Sequence, residues 1–147
     1  MFNTYHNVSN FNDVLKGTGE FIARFTTGLP STIAGFLWGW LNIEGGGIYN
    51  SYKNMSVITF NDGREMAYTI GYVIIGPNKL MDDFVWLTHE IGHYYFSLFT
   101  GFYYLIHGLD SLINAPKAPD YYRYRTEVLA DKLGGVKRDQ YGERYLP

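Results

Sequence analysis

Apolar residues at helical spacing open the chain: Phe11, Val14, Leu15, Phe21, Ile22 and Phe25 predict an amphipathic first helix. Gly28-Leu29-Pro30-Ser31 breaks it. Ile33, Phe36, Leu37, Trp40 and Leu41 then repeat the helical period, so a second helix is expected from Pro30 or Ser31. Gly45-Gly46-Gly47 closes that helix, and the apolar residues change type. From Ile48 to Ile75 they are β-branched or aromatic, punctuated by Asn61-Asp62-Gly63 and Gly76-Pro77-Asn78. This predicts two or three short strands in a small antiparallel sheet. Asp82 or Asp83 can cap a third helix carrying Phe84, Val85, Leu87, Ile91, Tyr94 and Tyr95 to about Phe99. Gly101 interrupts the pattern, and a shorter helix is expected over Tyr103–Ile113. After Pro116 and Pro119 a last helix runs from about Tyr122 to Leu133, stopped by Gly134-Gly135. Residues 137–147 are polar and read as a loose tail. The fold class is α+β, mostly helical, in a single domain over residues 1–147 with no repeat or linker.

Composition sharpens this picture in three ways. The 147 residues are 46% hydrophobic, enough for one domain with a core, and 18% are aromatic. So many rings with few charges imply a core of large side chains or an aromatic-lined surface. The net charge of −2 does not point to nucleic acid. Residues 117–147 hold seven of the twelve Lys and Arg, but Asp120, Glu127, Asp131, Asp139 and Glu143 are interleaved, as on a solvated face. With no cysteine, disulfides, thiolate metal sites and a Cys nucleophile are all excluded.

The first twenty residues show no basic cluster and no apolar run of a secretory signal. Two apolar stretches bear on membranes. Leu29–Ile43 contains Pro30 and is shorter than the roughly 20 residues a span requires. Phe84–Leu109 is long enough but holds His89, Glu90, His93 and His107, which suits a buried site better than lipid. No stable membrane span is expected.

The chemistry concentrates in His89-Glu90-Ile91-Gly92-His93, an H-E-x-x-H pattern on the predicted third helix. Histidines four apart sit one above the other on one helical face, close enough to share an ion. Glu90 can lean toward a metal-bound water without being a ligand, as a general base must. At this chain's His and Glu frequencies the pattern arises by chance about 0.4% of the time.

A catalytic zinc normally takes three protein ligands and leaves a position for water. The metzincin third histidine is missing, since positions 99 and 102 are Phe99 and Phe102. A later-helix glutamate is present instead: Glu127, with Asp131 one turn on. Glu127 is the candidate third ligand, and Asp131 can accept the outer N–H of a ligand histidine. On an isolated helix the two would be an exposed acidic pair. His107 is a candidate alternative ligand or oxyanion donor, or else a histidine satisfied by its neighbours. Tyr122, with Tyr121 and Tyr124, offers a phenol for an oxyanion or substrate contact.

Thr88-His89-Glu90 with Gly92-His93, Gly101–Leu105, Leu109–Ala115, Tyr124-Arg125-Thr126-Glu127 and Ala130–Gly135 together resemble one group of bacterial domains. These are gluzincin metallopeptidase domains, often at the C-terminal ends of RHS-repeat and other polymorphic-toxin-like proteins. The likeness covers residues 27–136 and is specific from Thr88 to Gly135. Where the family has Gly-x-Pro-Ser-Leu this chain has Gly108-Leu109-Asp110-Ser111-Leu112, a difference in that loop. The resemblance implies a zincin-like fold and one Zn2+ on His89, His93 and Glu127, with Glu90 as base. It further implies delivery within a larger bacterial protein and a cognate immunity protein.

The expected reaction is hydrolysis of a peptide bond in a protein or peptide substrate, with Glu90 passing the water proton to the leaving amine. By analogy of fold alone, a strand from residues 55–60 or 70–75 flanks the cleft and takes substrate as an added strand. A rival reading is a non-catalytic, zinc-containing interaction module with His107 as fourth ligand. A third is a membrane-active domain using its aromatic surface.

Overall fold

A computed structural model of the protein describes residues 11–114, 117, 124–140 and 142–147. Its elements are α1 (Phe11–Arg24), α2 (Leu29–Glu44), β1 (Ile48–Tyr52), β2 (Met55–Phe60), β3 (Tyr68–Ile70) and β4 (Val73–Pro77). A 3-10 turn at Asn78–Asp82 leads into α3 (Phe84–Thr100), α4 (Phe102–Asn114), α5 (Arg125–Gly134), β5 (Lys137–Arg138) and β6 (Arg144–Tyr145). The class is α+β, with a small sheet before the H-E-x-x-H helix.

The sheet differs in detail from the expected two or three antiparallel strands. It has four, in the order β1-β2-β4-β3, and its central pair is parallel: Val57 lies opposite Ile74 and Ile58 opposite Ile75. The reason is the path after β2. The chain crosses to the far edge as β3 and turns back through Gly71, so β4 arrives parallel to β2. Gly71 has φ +54°, and a Cβ there would lie 2.3 Å from the Ser31 carbonyl oxygen. β4 is buried throughout, which is why Val73-Ile74-Ile75 shows no alternation of apolar and polar residues.

The core lies between this sheet and α3. Met55, Val57 and Ile74 pack with Leu80, Leu87, Ile91, Tyr94 and Leu98. Asp83 starts α3 by accepting the Trp86 N–H at 2.9 Å. The opposite sheet face, with Ile58, Val73 and Ile75, is covered by α2.

α2 meets the sheet with its smallest residues. Ser31, Thr32, Gly35 and Gly39 are buried, whereas Ile33, Phe36, Leu37, Trp40 and Leu41 are each at least 50% exposed. A Cβ on Gly35 would come within 2.2 Å of the Ile70 carbonyl oxygen, so only this narrow stripe permits the contact. The apolar period read from the sequence therefore marks the outer face of the helix, not the inner one.

The end of the chain also departs from expectation. Residues expected to be loose include the antiparallel pair β5–β6, with Lys137 opposite Tyr145 and Arg138 opposite Arg144. The last helix begins at Arg125, with Tyr124 in an extended conformation before it.

Candidate metal centre

The site is built where α3 and α5 touch backbone to backbone. Gly92 faces Ala130, and a Cβ on Gly134 would lie 2.3 Å from the Thr88 carbonyl oxygen. Both glycines are places where a side chain would push the helices apart. Gly135 then ends α5 in the left-handed conformation, φ 81°. At this separation Glu127 and Asp131, one turn apart on α5, come directly against His89 on α3.

The donor atoms converge. His89 Nε2 is 3.2 Å from Glu127 Oε2, and His93 Nε2 is 3.5 Å from Glu127 Oε1. One ligand atom from each of the three residues lies within 4.8 Å of the others. Nitrogen and oxygen ligands at the usual bond lengths around a tetrahedral ion are about 3.4 Å apart, so this spacing fits a shared cation. His89 and Glu127 are buried, and His93 is partly so. The group can hold a metal ion.

Asp131 sets the tautomer. Its Oδ1 accepts from His89 Nδ1 at 2.7 Å, leaving the Nε2 lone pair of a neutral ring turned toward the ligand cluster. Asp131 is itself held by two arginines from the terminal hairpin. Arg138 Nε donates to Oδ2 at 2.6 Å, and Arg144 Nε lies 2.8 Å from Oδ1. Arg144 Nη2 reaches further, to 3.3 Å from both His89 Nε2 and Glu127 Oε2.

These contacts move the proton affinities of the metal-free chain. Burial works against a charged His89, but the hydrogen bonds to Asp131 and Glu127 outweigh it and hold the imidazole above 6.5. Burial likewise works against the Glu127 carboxylate and is overcome by His89 and His93, leaving Glu127 far below 4.5. Asp131 is lowered in the same way, against burial, by His89 and Arg144.

Glu90 is buried beside the cluster with both oxygens engaged. Oε2 accepts from Thr69 Oγ1 at 2.6 Å and Oε1 from Trp86 Nε1 at 3.1 Å. Tyr104 donates to the Thr69 carbonyl, tying α4 to the same strand, and burial raises its phenol strongly.

His89, Glu90, His93 and Glu127 line one wall of a cleft of about 640 Å³. Its other walls are mostly apolar: Trp38 from α2, Met66 and Tyr68 at β3, and Leu105 and Leu109 from α4. The edge strand beside the cleft is β3; β2, in the interval 55–60, and β4, which starts within the interval 70–75, are each paired on both sides and cannot accept another strand.

His107 is not part of the centre. It is exposed, with its ring 5.8 Å from that of Phe96, and the three-ligand group does not include it. Tyr121 and Tyr122 lie outside the described residues. Tyr124 donates to Asp110 Oδ2 at 2.5 Å, tying the residue before α5 to α4.

Thr69, Trp86, Tyr104, Arg138 and Arg144 were not expected from sequence. Trp86 was discoverable, because it lies one helical turn before Glu90. The others come from separate elements, with no spacing to announce them. Comparison with protein-family models, curated proteins and solved structures gives no match for this chain.

Proposed function

We propose that the chain is a zinc-dependent hydrolase of peptide bonds. The observation that carries this reading is the buried convergence of His89, His93 and Glu127 with Glu90 beside them at the wall of a cleft. Two imidazoles and a carboxylate, with no thiolate in the chain, form the donor set that zinc takes in catalytic centres. Among the described residues three ligands converge, which leaves a position for water and favours catalysis over a closed structural site. A closed site needs a fourth ligand, and His107 is turned to Phe96 instead.

Bound zinc would polarise the scissile carbonyl and bring the pKa of its water to about 7. The chain's own residues do the rest. Asp131 keeps the proton on His89 Nδ1, so Nε2 offers its lone pair. Glu90 is an acceptor whose direction is fixed by Thr69 and Trp86, suited to taking a proton from water and giving it to the leaving amine. The edge strand β3 and the apolar walls bind an extended chain with apolar side chains. Following the family resemblance, the reading extends to a toxin or effector domain with a cognate immunity protein.

The test is cleavage of an unfolded protein such as dye-labelled casein, after removal of metal and again after adding one equivalent of zinc. Cleavage that is lost and then restored supports the proposal. Cleavage indifferent to chelation, or none with zinc bound, contradicts it.

A further inference from the structure

We infer that the outer faces of α2 and α4 form a lipid-docking surface, which sets the chain on a bilayer with its cleft opening at the membrane interface. The inference concerns binding and does not depend on what the cleft does chemically. It starts from two helices folded with their apolar faces outward. On α2, Ile33, Phe36, Leu37, Trp40 and Leu41 are each 50–58% exposed. On α4, Phe102, Ile106, Leu109 and Ile113 lie along one stripe at 50–62%, with Tyr103 beside them at 69%. The two helices touch, and exposed Phe21 and Ile22 of α1, with Phe25 in the turn after it, lie next to α2.

Ten half-exposed side chains of this size present roughly 1,000 Å². The largest apolar patch of an ordinary monomer is about 300–600 Å². A face so large and so uniform needs an occupant.

Its chemistry selects one. α2 has no charged residue before Glu44, and the Asn42 amide is spent on the Trp38 carbonyl at 2.8 Å. The only charge on α4 is Asp110, engaged by Asn114 and Tyr124. A protein partner brings polar groups that want hydrogen bonds, and even interface cores have a polar rim. This face has almost none to give, whereas acyl chains ask for none. Trp38, Trp40 and Tyr103 supply the amphipathic rings that settle at the headgroup boundary.

The position of the cleft argues the same way. Leu109 belongs both to this exposed face and to the cleft lining, and Trp38, 47% exposed, lines the cleft from α2, so the cleft borders the face. A second copy seated there would close it. Among the described residues no helix is long and apolar enough to cross a membrane.

Vesicle binding tests this. The purified chain is mixed with phosphatidylcholine vesicles and with vesicles containing phosphatidylglycerol, at low and high salt. Flotation and tryptophan emission are then followed. The charge-free face predicts binding to both, little changed by salt, with a blue shift. Trp40→Glu and Ile106→Glu, both exposed and outside the cleft lining, are each expected to lower the partition coefficient at least tenfold, with unchanged circular dichroism and Tm. Four results would overturn the inference: no binding to either vesicle; binding only to the anionic one and lost in salt; variants that bind as well as the native chain; or a dimer in sedimentation that the same substitutions dissociate.

Discussion

A Cβ placed on Gly92 would lie 1.8 Å from the carbonyl oxygen of Ala130. This backbone contact between α3 and α5 fixes the distance from the two histidines to Glu127 and Asp131. In H-E-x-x-H the second variable position is therefore not free here. Glycine to alanine inside an unobstructed helix stabilises by up to about 1 kcal/mol. At Gly92 that gain competes with an overlap onto backbone that no rotamer change relieves, and overpacking costs about 1–3 kcal/mol or more. Gly92→Ala is expected to lower Tm and weaken metal binding together. Gly19→Ala on α1, where the added methyl meets nothing within 4 Å, should raise Tm slightly. Thermal denaturation of both variants checks the contrast, and a Gly92→Ala chain with native Tm and metal affinity would refute it.

Glu90→Gln should retain metal and lose activity by about 10²–10⁴-fold, the usual contribution of a positioned general base. The substitution is tolerable locally. The Gln oxygen can still accept from Trp86, and the Thr69 hydroxyl can reverse to accept from the new amide. Turnover at the native rate with metal bound would remove Glu90 from the chemistry.

The candidate group of His89, His93 and Glu127 was legible in the sequence because helical spacing is rigid. His89 and His93, and Glu127 and Asp131, each sit one turn apart, so each pair shares a face wherever its helix goes. What the spacing could not reveal was contact between elements. Arg138 and Arg144 looked like members of a mixed, solvated tail, yet both close on Asp131. The parallel pairing of β2 with β4 depends on where the chain crosses after Phe60, and Thr69 reaches Glu90 only through that crossing. The orientation of α2 was illegible for a different reason. Periodicity reveals that one face is apolar, while the narrow approach at Gly35 and Gly39 decides which face turns inward.

Asp131→Asn is expected to lower metal affinity by about 10–100-fold, the usual cost of losing the partner of a ligand histidine. The amide keeps the shape but loses the charge that favours the His89 Nδ1 proton. Competition with a zinc chelator measures this, and unchanged affinity would free His89 from dependence on Asp131.

Arg144 holds a positive charge 3.3 Å from both His89 Nε2 and Glu127 Oε2, atoms that a metal would share. Arg144→Gln should therefore bind zinc several-fold more tightly, by removing a like charge from beside the ion. Weaker binding would mean that its support of Asp131 dominates.

The metal-free chain should be most stable in a bounded pH window. His89 is raised above 6.5 in the folded state, so its contribution is complete below that value and is lost as pH climbs through the raised one. Glu127 and Asp131 are depressed, so theirs is complete above 4.5 and 3.8 and fades as pH falls toward the lowered values. Tm of the chelated protein should peak between about pH 4.5 and 6.5 and decline on both sides. Glu127→Gln should flatten the profile; a chelated native chain whose Tm rises steadily to pH 8 would contradict the assignment.

The most direct test of the account is metal content per chain, by mass spectrometry, for the native protein beside Glu127→Ala. One zinc in the native chain that falls sharply in the variant is the expected result. No metal in the native chain, or zinc indifferent to the loss of Glu127, would contradict it.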